Sequence, residues 1–126
     1  MSLSNAFETT TLEWLFTATA VTRPTAWYLA LYTVAPTDTG GGTECSGTSY
    51  ARQSFALSVT GDTASNSANI DFPTAGGSWG TIVAVGVFTA ATAGTLITYG
   101  TLTTSKAIDT GDVFRVPTGD LDITLN

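Results

Sequence analysis

Between residues 27 and 32 the side chains alternate with a period of two: Trp27, Leu29 and Leu31 point one way, and Tyr28, Ala30 and Tyr32 the other. That period predicts a strand with one aliphatic face and one face carrying two tyrosines turned outward. Residues 81–88 differ, because Ile82, Val83, Val85, Val87 and Phe88 are interrupted only by Ala84 and Gly86. A run of this kind reads as a strand covered on both sides. A small-residue loop over 89–94 joins it to a second strand over 95–99, with Gly94 free to take a positive φ. This hairpin, entered through a Pro/Gly turn and Trp79, is the expected centre of the molecule.

Alternation returns over residues 50–59, with Tyr50, Arg52, Ser54, Ala56 and Ser58 on one face and Ala51, Gln53, Phe55, Leu57 and Val59 on the other. Short strands follow over 68–72, 102–107, 113–116 and 121–125, separated by turns at 60–66 and 109–112. Such close spacing predicts an all-β fold, an antiparallel, jelly-roll-like β-sandwich.

One segment, residues 4–20, reads as a helix. Asn5 and Glu8 suit an N-cap and N3 pair, and Ser4 is the alternative cap. At helical spacing Leu3, Phe7, Trp14 and Ala18 share a face, with Leu15 at its margin, whereas Leu12 and Phe16 lie on another. The helix is expected to pack into its own core, with contact between Leu12, Phe16 and another subunit as the alternative. Thr9, Thr10 and Thr11 weaken it intrinsically, so packing must hold it. The chain is expected to be a single domain over 1–126, with a helical arm over 1–22 and a sandwich over 25–126.

Composition then removes most chemistry. There is no His and one Cys, so neither a zinc site nor a Cys–His pair is available, and Cys45 reads as a free thiol in a loop. Only 11% of residues are charged, the net charge is −6, and Arg23, Arg52, Lys106 and Arg115 are widely scattered, which argues against nucleic acid. Asp120 and Asp122 share a strand face and Asp109 and Asp112 bracket a turn, too few groups for a calcium loop or a tuned catalytic pair. The expectation is a non-enzyme with no cofactor and no metal. The opening MSLSNAFETT lacks the pattern of a signal peptide, and no apolar run approaches a membrane span. Residues 34–49, rich in Pro, Thr, Gly and Ser, form a long loop, and loops of that length usually have a task. Trp79, among glycines and Ser78, is expected to plug one end of the sandwich.

The segments MSLSN, WYLALYT, GTECSGTSYARQSF, ANIDFPTAGGSWGTIVAVGVF and GTLITYGTLTTSKAIDTGDVFRV, in this order, resemble a group of small tailed-bacteriophage virion proteins. These are variously labelled tail-fibre, head-fibre or capsid decoration proteins; Val85 and Val87 stand where bulkier residues are common. The resemblance implies a structural virion protein, made in the bacterial cytoplasm. Its expected role is a capsid decoration (cement) protein that binds the outer head surface and resists the pressure of packaged DNA. Its expected partners are the major capsid protein and its own copies in a trimer. The alternative is a tail-fibre or baseplate component that recognises the host surface through the 34–49 and 89–94 loops. Phe7, Leu12, Phe16, Tyr28 and Tyr32 are the candidate interface residues.

Overall fold

A computed structural model describes residues 1–125 and is mostly β, with one helix and several antiparallel sheets. The principal sheet has six strands. Its path runs β1 (Ser2–Leu3), β9 (Leu96–Ile108), β8 (Gly80–Phe88), β2 (Tyr28–Val34), β3 (Thr43–Glu44), and β4 (Gln53–Ser54) also pairs with β2. Two smaller sheets lie apart from it. One pairs β7 (Ile70–Asp71) with β10 (Arg115–Val116), and the other runs β5 (Leu57–Thr60), β6 (Thr63–Asn66), β11 (Asp122–Thr124) in the order β11-β6-β5.

The centre is the β8–β9 hairpin with β2 on its other side, in the register Leu29 opposite Val87 and Leu31 opposite Val85. These four side chains bury into one cluster with Ile70, Phe72, Trp79 and Phe114 from the smaller sheets and their connections, which makes the sandwich. On the reverse face Ala30, Tyr32, Ala84, Phe88 and Leu96 form a second cluster. β8 is therefore covered on both faces, as its unbroken apolar run demands. A register shift between Ile82 and Ala84 turns Ile82 onto the same side as Val85 and Val87, which strict alternation forbids.

Three segment boundaries differ from expectation. The alternating run over 50–59 is two strands in different sheets, because the chain turns at Phe55 and Ala56: Phe55 N–H bonds Trp27 O (3.1 Å), while Ala56 O accepts from Ser67 N–H (3.0 Å). Conversely the strands expected over 95–99 and 102–107 are one, β9. Between Ala84–Thr101 and Ile82–Lys106 it accommodates its excess residues as a bulge, which keeps the ladder continuous. The helix α1 (Asn5–Phe16) is shorter than the 4–20 expected. Thr17 ends it in an extended conformation, its hydroxyl bonding back to Glu13 O (2.6 Å), a local alternative to further helix in a Thr-rich stretch. Thr10 and Thr11 bond back to Ala6 O and Phe7 O in the same way, so the threonine run is tolerated inside the helix.

Ser4 is the N-cap. Its Oγ donates to Leu96 O (2.6 Å) and accepts from Phe7 N–H (3.4 Å), while its own N–H bonds Ile97 O (2.8 Å). The helix start is thereby stitched to the edge of the principal sheet. No residue of α1 is buried, so the expectation that it packs into its own core is corrected.

Candidate functional site

Helix α1 leaves the sheet with its apolar residues uncovered. Leu12 is 58% exposed, Trp14 67%, Leu15 55% and Phe16 78%. Isolated apolar residues on a surface are ordinary, but Leu12 and Phe16, one helical turn apart on the same face with Leu15 beside them, are exposed together in the way surfaces used for association are. Phe7 is half-buried in a groove between the helix and the returning chain, which it shares with Trp14, Val21, Arg23 and Pro24. Of the five candidate interface residues, Leu12 and Phe16 therefore lie open on one element. Tyr28 is half-buried in β2, across from Phe88. Tyr32 is 4% exposed, which corrects its expected outward position. Its ring lies near-parallel to Phe88 with centroids 6.5 Å apart, in the second cluster with Ala84 and Leu96.

That loop is more ordered than its composition implies. It contains β3, antiparallel to β2, and places Cys45 in the main core with its N–H on Leu31 O (2.8 Å). The thiol is free and lies in a loop, as expected, but it is buried there, and burial raises its pKa. Beside it Trp79 is buried in the core, its Nε1–H bonding Thr48 O (2.9 Å) and its ring edge-on to Tyr50.

A charged clamp ties this loop to the hairpin loop. Arg52 grips Glu44 through Nε–Oε2 (2.9 Å) and Nη2–Oε1 (2.8 Å), and its Nη1 donates to Ala90 O (3.0 Å) and Ala93 O (2.7 Å). Its guanidinium also lies 3.7 Å from the Phe88 ring centroid, in cation–π contact. Tyr50 completes the group, donating to Glu44 Oε2 (2.7 Å) and accepting from Leu31 N–H (3.0 Å). Burial by itself would raise the Glu44 pKa, but hydrogen bonds from Arg52 and Tyr50 together with the Arg52 charge outweigh it and hold the carboxyl below its ordinary value. Burial, then the Glu44 hydrogen bond, push the Tyr50 phenol far above its usual range.

Local sequence pattern does not announce the clamp. Arg52 was one of four scattered cations and Glu44 one acid in a small-residue loop. Its only trace in the sequence is that an acid and a base stand eight positions apart in a stretch otherwise almost free of charge. The hairpin loop itself turns through Ala93 (φ 52°) and Gly94 (φ 73°), in keeping with the expected use of Gly94.

Next to the clamp is an open cleft of about 570 Å³, lined by the helix start (Ser4, Asn5, Ala6), residues 38–41 and Tyr32, Phe88, Leu96 and the end of the hairpin loop. The acidic residues singled out in the sequence lie elsewhere. Asp112 Oδ2 accepts from Asp109 N–H (2.9 Å) and shapes its own turn, while Asp122 accepts from Ser65 Oγ on the neighbouring strand. Among the described residues no three His, Cys, Asp or Glu side chains are grouped to hold a metal ion.

The family model described as Podophage GP4 fiber I protein gp80 matches residues 2–124, nearly the whole chain. The chain belongs to this family of structural bacteriophage fibre proteins. No curated protein matches it.

Proposed function

We propose that this phage fibre protein is a capsid decoration protein, anchored to the outside of the head by residues 1–22 and presenting residues 25–126 as a sandwich. The observation that carries this reading is the uncovered apolar end of α1 around Leu12 and Phe16. A patch of that kind gains stability when a partner covers it, and a partner surface that exists only on the assembled shell stabilises the shell by mass action. The partners in this reading are the major capsid protein and further copies of the chain, arranged as a trimer.

The deciding measurement is the copy number in purified virions, relative to the major capsid protein. A ratio comparable to the capsid protein supports decoration, and particles lacking the protein should then break at lower temperature or milder osmotic shock. A few copies per particle would instead favour the second reading, a tail-fibre or baseplate component in contact with the host surface. The Arg52 clamp supports that alternative, since it fixes two loops on a rigid scaffold where recognition commonly sits. Absence from the particle would overturn both.

A further inference from the structure

The sheet ordered β11-β6-β5 ends on a strand that nothing guards, because β5 has a neighbour on one side only. Its backbone groups divide by residue. Ser67 N–H bonds Ala56 O (3.0 Å), and bonded pairs alternate along the register, so Ser58 and Thr60 turn their N–H and C=O toward β6. The bonds from Asn66 N–H to Leu121 O (3.3 Å) and from Leu125 N–H to Asp62 O (3.0 Å) fix the same phase from the other side of β6. Leu57 and Val59 therefore point N–H and C=O away from the sheet, and no described residue bonds them.

The side chains sort in step with the backbone. Leu57 and Val59 share a face with Ala64 and Ile123 on the neighbouring strands, while Ser58, Ser65 and Asp122 form the opposite, polar face. The apolar row lines a cleft of about 330 Å³ together with Trp27, Val87 and Ile97 from the principal layer. Val59, at the outer end of that row, is 73% exposed. An edge with free backbone groups and an apolar face is a template for a further strand, and natural proteins block such edges with Lys, Pro, a bulge or an inward charge. β5 has none of these, and residues 53–61 contain no charged side chain.

What covers the edge follows from symmetry and charge. A strand that offers bonds at Leu57 and Val59 matches itself run antiparallel about a two-fold axis at Ser58. Leu57 then faces the copy's Val59 and exchanges both bonds with it, and the Ser58 side chains meet in the unbonded pair between. Each Leu57 lies beside the other chain's Val59, which continues the apolar row across the join. The net charge is −6, so copies of this chain repel one another least along a stretch without acids.

We propose that β5 pairs antiparallel with β5 of a second copy, joining the two small sheets into one through this Leu57–Val59 register. The contact goes beyond the reading above, since it lies apart from the open end of α1 and holds wherever the chain sits on the particle. By its two-fold symmetry it would join one trimer to the next rather than build a trimer.

The test is oxidative cross-linking of the full chain carrying Ser58→Cys. Across the two-fold axis the paired Cβ atoms stand about 4.5–5.5 Å apart, which a small adjustment brings within disulfide reach. Mild oxidation should convert most of Ser58→Cys to a covalent dimer, and should leave monomeric both the parent chain and Thr124→Cys, whose change lies on the far edge of the same sheet. Sedimentation of the parent at rising concentration should show reversible self-association, weakened about tenfold or more by Val59→Lys, which puts like charges at the join. The thermal midpoint of dilute Val59→Lys should match the parent, because the side chain is largely exposed. Leu12→Gln with Phe16→Gln should leave the association intact, which separates this contact from the attachment surface. Equal cross-linking at positions 58 and 124, self-association indifferent to Val59→Lys or abolished by the glutamines, or no self-association at all would each overturn the proposal.

Discussion

Arg52 and Glu44 meet in a two-point ion pair, with the arginine side chain 9% and the glutamate side chain 27% exposed. The pair belongs to two consecutive segments, yet it fixes a third, because the same guanidinium holds Ala90 O and Ala93 O in the hairpin loop. Removing one partner strands the other in a poorly solvated place. Arg52→Ala should therefore lose about 3 kcal/mol of unfolding free energy in a denaturant titration. Arg52→Lys should recover less than half of this, since an ammonium cannot span both carboxylate oxygens and both carbonyls. A loss under about 1 kcal/mol in Arg52→Ala would show that the pair behaves like an ordinary surface salt bridge.

The same pair sets a pH dependence. Glu44 is held below its ordinary value of 4.5 in the folded chain, so its contribution is complete above that pH and is lost as the pH falls through the lower, folded value. Acid unfolding should begin below about pH 4.5, and Glu44→Gln should flatten the stability profile in that window while lowering stability near neutrality. An unchanged acid slope in Glu44→Gln would assign the acid sensitivity to other carboxylates.

Packing against Trp79 makes a contrast between two glycines. A Cβ on Gly47 would stand 2.3 Å from Trp79 Cδ1, and that ring is fixed by Thr48 O and by the Tyr50 edge. Gly47→Ala should cost about 1–3 kcal/mol through overpacking. At Gly77 the nearest atoms lie at 3.4 and 3.6 Å on Thr48, so Gly77→Ala should stay within about 0.5 kcal/mol of the parent. Thermal unfolding of the two variants side by side decides it.

Leu12→Gln with Phe16→Gln keeps good or adequate helix formers at two positions that are largely exposed. Each change should alter the stability of the isolated chain by no more than about 0.5 kcal/mol. Incorporation into virions, measured in competition with the parent protein, should nevertheless fall severalfold. Equal incorporation would move the attachment surface away from this end of α1.

Some of the candidate surface was legible beforehand and some was not. Leu12 and Phe16 could be read as a second apolar face because a helix needs only one against a sheet, and both are open. Tyr32 could not be placed, because alternation says only that it opposes Leu29 and Leu31. Whether its face meets water or cover depends on Phe88 and Leu96 packing beside it from β8 and β9, contacts between segments that share no local pattern. The cleft has the same origin, since its walls come from the helix start, the 38–41 turn and the hairpin loop.

The sequence by itself determined the all-β class, the β2 alternation, the doubly covered β8 and the helix start at Ser4 or Asn5, because each rests on side-chain period or capping within a few residues. Tertiary structure alone decided that residues 50–59 divide between two sheets, that β9 runs unbroken through its bulge, that Tyr32 is buried and that Arg52 finds Glu44 and the hairpin loop. Period fixes which way a side chain points relative to its neighbours in the chain. What it then touches is set by strand pairings and loop returns made across tens of residues.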